Sequence, residues 1–303
     1  MGKIVSEQFP FASNYIDVLD TEVHYIDIIE NDISETVFLY IHCNPTPNYL
    51  WRNIIPYTSS LGRTIALDLV GFGESGKPNI HYNVQDHINY VNEFIQKLNL
   101  KNIVLLLHDW DGAIGFNYEM NNAENVKGIV FMETFCKSME WDSHNFLTRS
   151  IFRIFRNQIS GQKWNGKYNA FFRFIPPMSI NRKLIEAEQH FYKEPFHTIE
   201  SRKPIVKFPQ EHPFKGEGTI NKKIASNYYK WLMGTPISKL LVYATPGVQI
   251  TSREVEKYKK EFSNITTAYV GKGKHYIQED QPGNIGEAIE QWYLQKYGEN
   301  INE

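Results

Sequence analysis

Ile103-Val-Leu-Leu-Leu-His-Asp-Trp-Asp-Gly-Ala-Ile-Gly115 is the stretch whose reading decides the fold. The apolar run Ile103 to Leu107 ends at His108 and Asp109, and a small-residue, helix-compatible segment begins at once. An unbroken apolar run of this length reads as a strand buried on both faces, as in parallel sheets. A strand that turns so abruptly into a helix lifts one side chain, here Asp109, above the edge of its sheet. Serine at such a turn forms an acyl-enzyme from a carbonyl, whereas a carboxylate forms an alkyl ester by displacement at saturated carbon. Asp109 is therefore the candidate nucleophile.

Outward from this turn, short strands alternate with helices. Tyr15 to Leu19, Glu22 to Ile29, Thr36 to Ile41 and Thr64 to Leu67 read as strands on the N-terminal side. Val84 to Leu98 has helical spacing, and Gly128 to Met132, Leu240 to Ala244 and Thr267 to Val270 read as later strands. A final helix is expected from about Asn284 to Tyr297. The alternation predicts an α/β architecture with a mostly parallel sheet flanked by helices. Between the strands at 128–132 and 240–244 the rhythm changes to aromatic-rich helical periodicity, with Trp141, Phe146, Phe152, Phe155, Phe171, Phe172 and Phe174. An insertion directly after a strand's C-terminal end is expected to cover the active face. The expected division is a core of residues 1–134 and 223–303, with a helical cap at 135–222.

Composition sets the outer bounds. With 303 residues, 42% of them hydrophobic, the chain is long enough for one large core carrying an insertion. A net charge of −2, with both signs interspersed, argues against a nucleic-acid groove or a polybasic membrane surface. Cys43 and Cys136 have neither framework nor metal-ligand spacing and are expected to be reduced, buried thiols. No apolar run approaches the ~20 residues that span a bilayer, and Met1 to Gln8 lacks a signal peptide's apolar core. A soluble, cytoplasmic protein is the expectation.

An alkyl ester on Asp109 needs a base to activate water and an acid to orient that base. At such a turn the chain order is nucleophile, acid, histidine. His275, in Gly273-Lys-His-Tyr-Ile-Gln278, lies between the last strand and the last helix, where the base belongs. The loop after Leu240 to Ala244 reads Thr245-Pro-Gly-Val-Gln-Ile-Thr-Ser252, with no carboxylate before Glu254. Glu133, at the end of Phe131-Met-Glu-Thr134, closes the preceding strand, and a carboxylate there requires a partner. Glu133 is the expected acid. Asn44 and Trp110 bring an amide NH₂ and an indole N–H to the same edge, a donor pair suited to an expelled halide ion. The expected substrate pocket is lined by Trp141, Phe152, Phe155, Val248 and Gln249.

These residues and their neighbours resemble the haloalkane dehalogenases, α/β-hydrolase-fold enzymes, in the branch whose acid follows the sixth strand. The resemblance runs from about residue 10 to residue 298. It is carried by His42-Cys-Asn-Pro-Thr-Pro-Asn-Tyr-Leu-Trp-Arg52, Asp68-Leu-Val-Gly-Phe-Gly-Glu-Ser-Gly-Lys-Pro78, His108-Asp-Trp110, Phe131-Met-Glu133, Thr245-Pro-Gly-Val248 and His275-Tyr-Ile-Gln-Glu-Asp280. It implies Asp109 as nucleophile, Glu133 as acid, His275 as base, and Asn44 with Trp110 as halide donors. The implied substrate is a small apolar halogenated alkane, with water as second reactant and no cofactor or metal.

Four positions depart from the pattern. Cys43 and Asp111 stand where glycine is usual, and a missing glycine restricts the backbone beside the oxyanion site. Gln249 brings an amide to the pocket and Lys274 a cation beside the base. Three other activities share parts of this constellation: an epoxide hydrolase drawing on Tyr168 or Tyr192, a coelenterazine-type luciferase, and a binding protein that has lost turnover.

Overall fold

The computed structural model describes residues 6–30, 34–141, 146–214 and 219–298; most of the N-terminal segment read for a leader lies outside these. The chain opens with a hairpin, β1 (Ser13–Val18) and β2 (Thr21–Ile28), followed by β3 (Val37–Tyr40) and β4 (Arg63–Leu67). Next come α1 (Val84–Lys97), β5 (Ile103–His108), α2 (Asp111–Asn121) and β6 (Val126–Met132). The α/β-hydrolase architecture expected from the strand–helix rhythm is present. One eight-stranded sheet has the order β1-β2-β4-β3-β5-β6-β7-β8, with β7 (Ser238–Pro246) and β8 (Ile265–Gly273) at the far edge. β1 and β2 pair antiparallel and β2 meets β4 antiparallel, while every pairing from β4 to β8 is parallel.

Side-chain alternation builds two cores, one on each face of the sheet. Leu39, Ile65, Leu105, Leu107 and Ile129 point to one face, against Ile88, Val91 and Phe94 of α1. Phe38, Tyr40, Ala66, Val104, Leu106 and Val130 point to the other, against residues of the C-terminal helix. All of β3 and β5 is buried, so neither strand shows a polar alternation. The N-terminus of α1 is fixed by Asn83, whose side chain accepts from the Asp86 N–H while the Asp86 carboxylate accepts from the Asn83 N–H.

The segment after β6 is helical: α3 (Phe146–Arg156), α4 (Gln158–Gly161), α5 (Ala170–Ser179), α6 (Glu186–Lys193) and α7 (Lys203–Gln210). It is followed by α8 (Ile220–Gly234), whose Tyr228 packs on Phe116 of α2 and donates to the Phe135 carbonyl. The boundary expected at residue 222 therefore falls inside a helix that rests on the sheet's own layer. After β7 come α9 (Ser252–Glu261), β8, α10 (Ile277–Asp280) and α11 (Pro282–Tyr297). β7 and β8 both run longer than the strands expected at 240–244 and 267–270; Lys239↔Ile265 and Pro246↔Gly273 pair beyond those bounds. Among the described residues, no helix is long and apolar enough to cross a membrane.

Candidate active site

Four loops meet at the C-terminal edge of the parallel strands. Chain order reverses between β3 and β5, the place where open α/β sheets bind ligands. Asn44 follows β3, Asp109 follows β5, Glu133 follows β6, and His275 follows β8.

Asp109 has φ +55° and Glu133 φ +44°, left-handed conformations that non-glycine residues adopt rarely. Such backbone persists only where its surroundings over-determine it. At Asp109 the Thr134 hydroxyl donates to the main-chain carbonyl at 2.6 Å. Gly112 makes this close approach possible, since a Cβ there would sit 1.9 Å from the same hydroxyl. The glycine requirement expected at residues 43 and 111 is not a backbone one, because neither has a positive φ. The turn's strain is carried by Asp109 itself.

The three expected catalytic side chains converge. His275 Nε2 lies 3.6 Å from Asp109 Oδ1, and its Nδ1 lies 3.5 Å from Glu133 Oε2. Glu133 is fully buried and accepts three main-chain N–H groups, from Val248 at 2.9 Å, Gln249 at 2.8 Å and Ile250 at 3.2 Å. Gly247, at φ +67°, permits the turn that aims them: a Cβ there would lie 2.4 Å from the Ile250 carbonyl oxygen. Val248 thus serves Glu133 through its main chain, and the residue is 47% exposed. The same turn leaves Gln249 half-buried.

Burial governs the protonation of this cluster. It pushes the Asp109 carboxyl well above its usual range, with the Trp110 N–H opposing and the Glu133 charge adding. Burial also pushes Glu133 up to about 8, against the pull of its three N–H donors. His275 is driven by burial down to about 3, so its imidazole is neutral at pH 7.

Trp110 and Asn44 are both about 2% exposed. The indole ring is held by Phe135 at 5.5 Å, Phe208 at 5.4 Å and, edge to face, His212 at 4.6 Å between ring centroids. From His212 the aromatic wall continues to Phe152 at 5.0 Å and Phe214, which stacks on Trp141 at 3.7 Å. Phe155 packs instead on Phe171, at 5.8 Å. Asn44 Oδ1 is buried with no hydrogen-bond partner among the described residues.

Sequence reasoning missed several supporting groups. Sequence assigns no role to His212 or His108, yet one packs on Trp110 and the other touches the base's main chain. His108 Nε2 is 2.9 Å from the His275 carbonyl oxygen, which can only accept, so Nε2 carries the proton. The bare Nδ1 then takes the Cys43 S–H at 3.2 Å. Thr134 had a local signal, since it directly follows the acid; the histidine contacts join residues 65 and 167 positions apart and had none.

An α/β-hydrolase fold family model matches residues 36–163. A haloalkane dehalogenase of Mesorhizobium japonicum is 33% identical over 279 residues, covering 91% of this chain and 89% of that one. The haloalkane dehalogenase of Sphingobium indicum is 36% identical over 287 residues, covering 92% and 95%. This chain belongs to the haloalkane dehalogenase family. Among solved structures of the family, a putative ancestral haloalkane dehalogenase superposes with TM-score 0.90 at 35% identity, covering 93% of this chain and 98% of that one. The enzyme from Bradyrhizobium elkani also reaches 0.90, at 31% identity, covering 94% and 98%. The sequence resemblance and the fold therefore meet in one family of hydrolases.

Proposed function

We propose that this member of the family hydrolyses haloalkanes to an alcohol and a halide through an alkyl ester on Asp109. An Asp109 carboxylate oxygen attacks the carbon bearing the halogen, and the carbon–halogen bond breaks with its electron pair leaving on the halide. The Asn44 amide and Trp110 indole N–H groups receive that ion. His275 Nε2 then takes a proton from water, and the hydroxide attacks the ester carbonyl. The Trp110 main-chain N–H, at the start of the helix behind the nucleophile, holds the oxyanion. Collapse returns the imidazole's proton to the departing alcohol. The second proton of the water leaves Asp109 for solvent, which regenerates the carboxylate and completes the net release of a proton with the halide. Glu133 keeps the imidazole oriented. The inserted helices α3 to α7 act as a cap over the site, where Trp110, Phe152 and Trp141 suit an apolar chain.

The observation that carries this reading is the line Asp109–His275–Glu133, with imidazole contacts of 3.6 and 3.5 Å to the two carboxylates. An epoxide hydrolase would need a cap tyrosine to protonate the opening ring, but the Tyr192 hydroxyl is engaged by Glu279 and Tyr168 is 43% exposed. The test is His275→Phe incubated with 1-bromobutane. A mass increase of one butyl group on Asp109, with one bromide released per enzyme, is expected. An unchanged intact mass beside a turning-over wild-type enzyme would eliminate the ester route.

A further inference from the structure

The loop carrying His275 is bound to the inserted helical segment along its whole length. α5 ends at Ser179, whose carbonyl lacks an onward helical partner. It instead accepts the main-chain N–H groups of His275 and Tyr276, both at 3.2 Å. Lys274 Nζ donates to the neighbouring Met178 carbonyl at 3.0 Å. Downstream, the Asp280 carboxylate accepts the N–H groups of Asn181 and Arg182 at 3.0 Å.

Between these ties lies a buried ionic cluster. Glu279 accepts Arg52 at 2.7 and 3.0 Å, and also the Arg182 guanidinium and the Tyr192 hydroxyl. Glu188 of α6 accepts Arg52 at 2.9 Å and Arg182 at 2.8 and 2.5 Å. Arg182 Nε reaches the Glu279 carbonyl at 2.8 Å. Two guanidiniums and two carboxylates balance, and Arg52, Glu188 and Glu279 are each at most 3% exposed. Arg52 comes from the sheet side, Arg182, Glu188 and Tyr192 from the insertion, and Glu279 from α10, directly after the segment of the base. Every member of the cluster is paired, so directional contacts tie the three segments together.

We propose that Arg182 and Tyr192, through Glu279, are positioning residues for His275, so that the inserted segment sets the distance between the base and the ester. This rests on the two-step reaction above. In that reaction His275 acts only in the second step, so loosening the cluster slows ester hydrolysis and leaves ester formation unchanged. A merely structural defect lowers both steps together.

The experiment is rapid-quench turnover of 1-bromobutane by wild type, Arg182→Gln, Arg182→Lys and Tyr192→Phe, with bromide release and intact mass read on the same samples. Expected for Arg182→Gln is a first-turnover bromide burst within about twofold of wild type, with ester hydrolysis slowed roughly 10-fold or more, since ångström-scale misplacement alone costs up to about 100-fold. The butyl-enzyme then accumulates. Tyr192→Phe, the variant least able to prevent folding, shifts the partition the same way by a smaller factor, and Arg182→Lys recovers most of the hydrolysis rate. Equal loss in both steps, or an unchanged partition in Tyr192→Phe and Arg182→Gln, overturns the positioning role. A parallel His275→Phe sample separates the two readings: an adduct there with unchanged partition in the variants refutes positioning alone, and no adduct there refutes the reaction and this inference with it.

Discussion

Asp111 is the residue at which this chain departs furthest from what its site needs. It opens α2, is fully buried, and neither carboxylate oxygen has a hydrogen-bond partner among the described residues. Burial pushes its pKa well above the ordinary value of 3.8, and the nearby Asp109 charge adds to that; the His108 N–H opposes without meeting hydrogen-bond geometry. A carboxyl with a raised folded pKa contributes stability below the unfolded value, which is lost as pH rises through the folded one. Asp111→Asn is therefore expected to stabilise the fold at pH 7 by about 1–3 kcal/mol, with little gain below pH 3.8. Thermal melts of both proteins at several pH values check this; a gain that does not shrink with acid would mean that the charge is not its source. Asp109 obeys the same sign. Because its carboxyl must be ionised to attack, the rate of the bromide burst should fall with acid through a midpoint above 3.8. At this scale the sequence is most legible. Order along the chain and the missing carboxylate after β7 isolate Asp109, Glu133 and His275, because each sits at a strand end whose position is itself readable. The His108–Cys43 contact depends on loops brought together by the sheet, and no local pattern encodes it.

Elements matter here mostly by how they end. β6 stops at a left-handed Glu133, β7 runs into the Gly247 turn, and α5 leaves the Ser179 carbonyl to the loop of the base. The strands themselves follow from apolar runs, because a strand buried on both faces has no alternative composition. Their terminations do not, since they depend on which neighbouring loop supplies a donor. Thr245 to Ile250 illustrates this: Val248 reads as an apolar wall residue, yet its use is a main-chain N–H 2.9 Å from Glu133. Gly247→Ala tests the claim that the turn is an acid-holding device. An added Cβ meets the Ile250 carbonyl oxygen at 2.4 Å and Glu133 Oε1 at 2.9 Å, in a conformation that already disfavours a side chain. The expected result is a loss of about 1–3 kcal/mol in stability together with a pH–rate profile for ester hydrolysis displaced from the wild type's. Stability loss with an unaltered profile would make Gly247 a turn residue only.

The whole molecule carries a net charge of −2 spread over both signs, and its proposed substrate is uncharged. Long-range fields therefore have little to steer, and ions of no particular fit should leave kcat/KM nearly unchanged, since surface charges are already screened within ~10 Å at 0.1 M salt. A halide is different, because the proposed site holds one at the end of the first step. Donors arranged to stabilise the departing ion will also bind that ion from solution, and binding it blocks the next alkylation. Sodium bromide and sodium acetate at matched ionic strength separate the two effects. Acetate is expected to change the rate of 1-bromobutane turnover by less than about twofold, while bromide inhibits competitively in the wild type and less strongly in Trp110→Phe, which keeps the ring but loses the indole N–H. The comparison reads the donor through its difference between the two salts, because the packing lost with the indole, which touches Phe135, Phe208 and His212, affects turnover in both alike. Equal inhibition by the two salts would remove the halide site itself, and bromide inhibition unaltered in Trp110→Phe would remove the indole N–H from it and leave the expelled ion to the Asn44 amide.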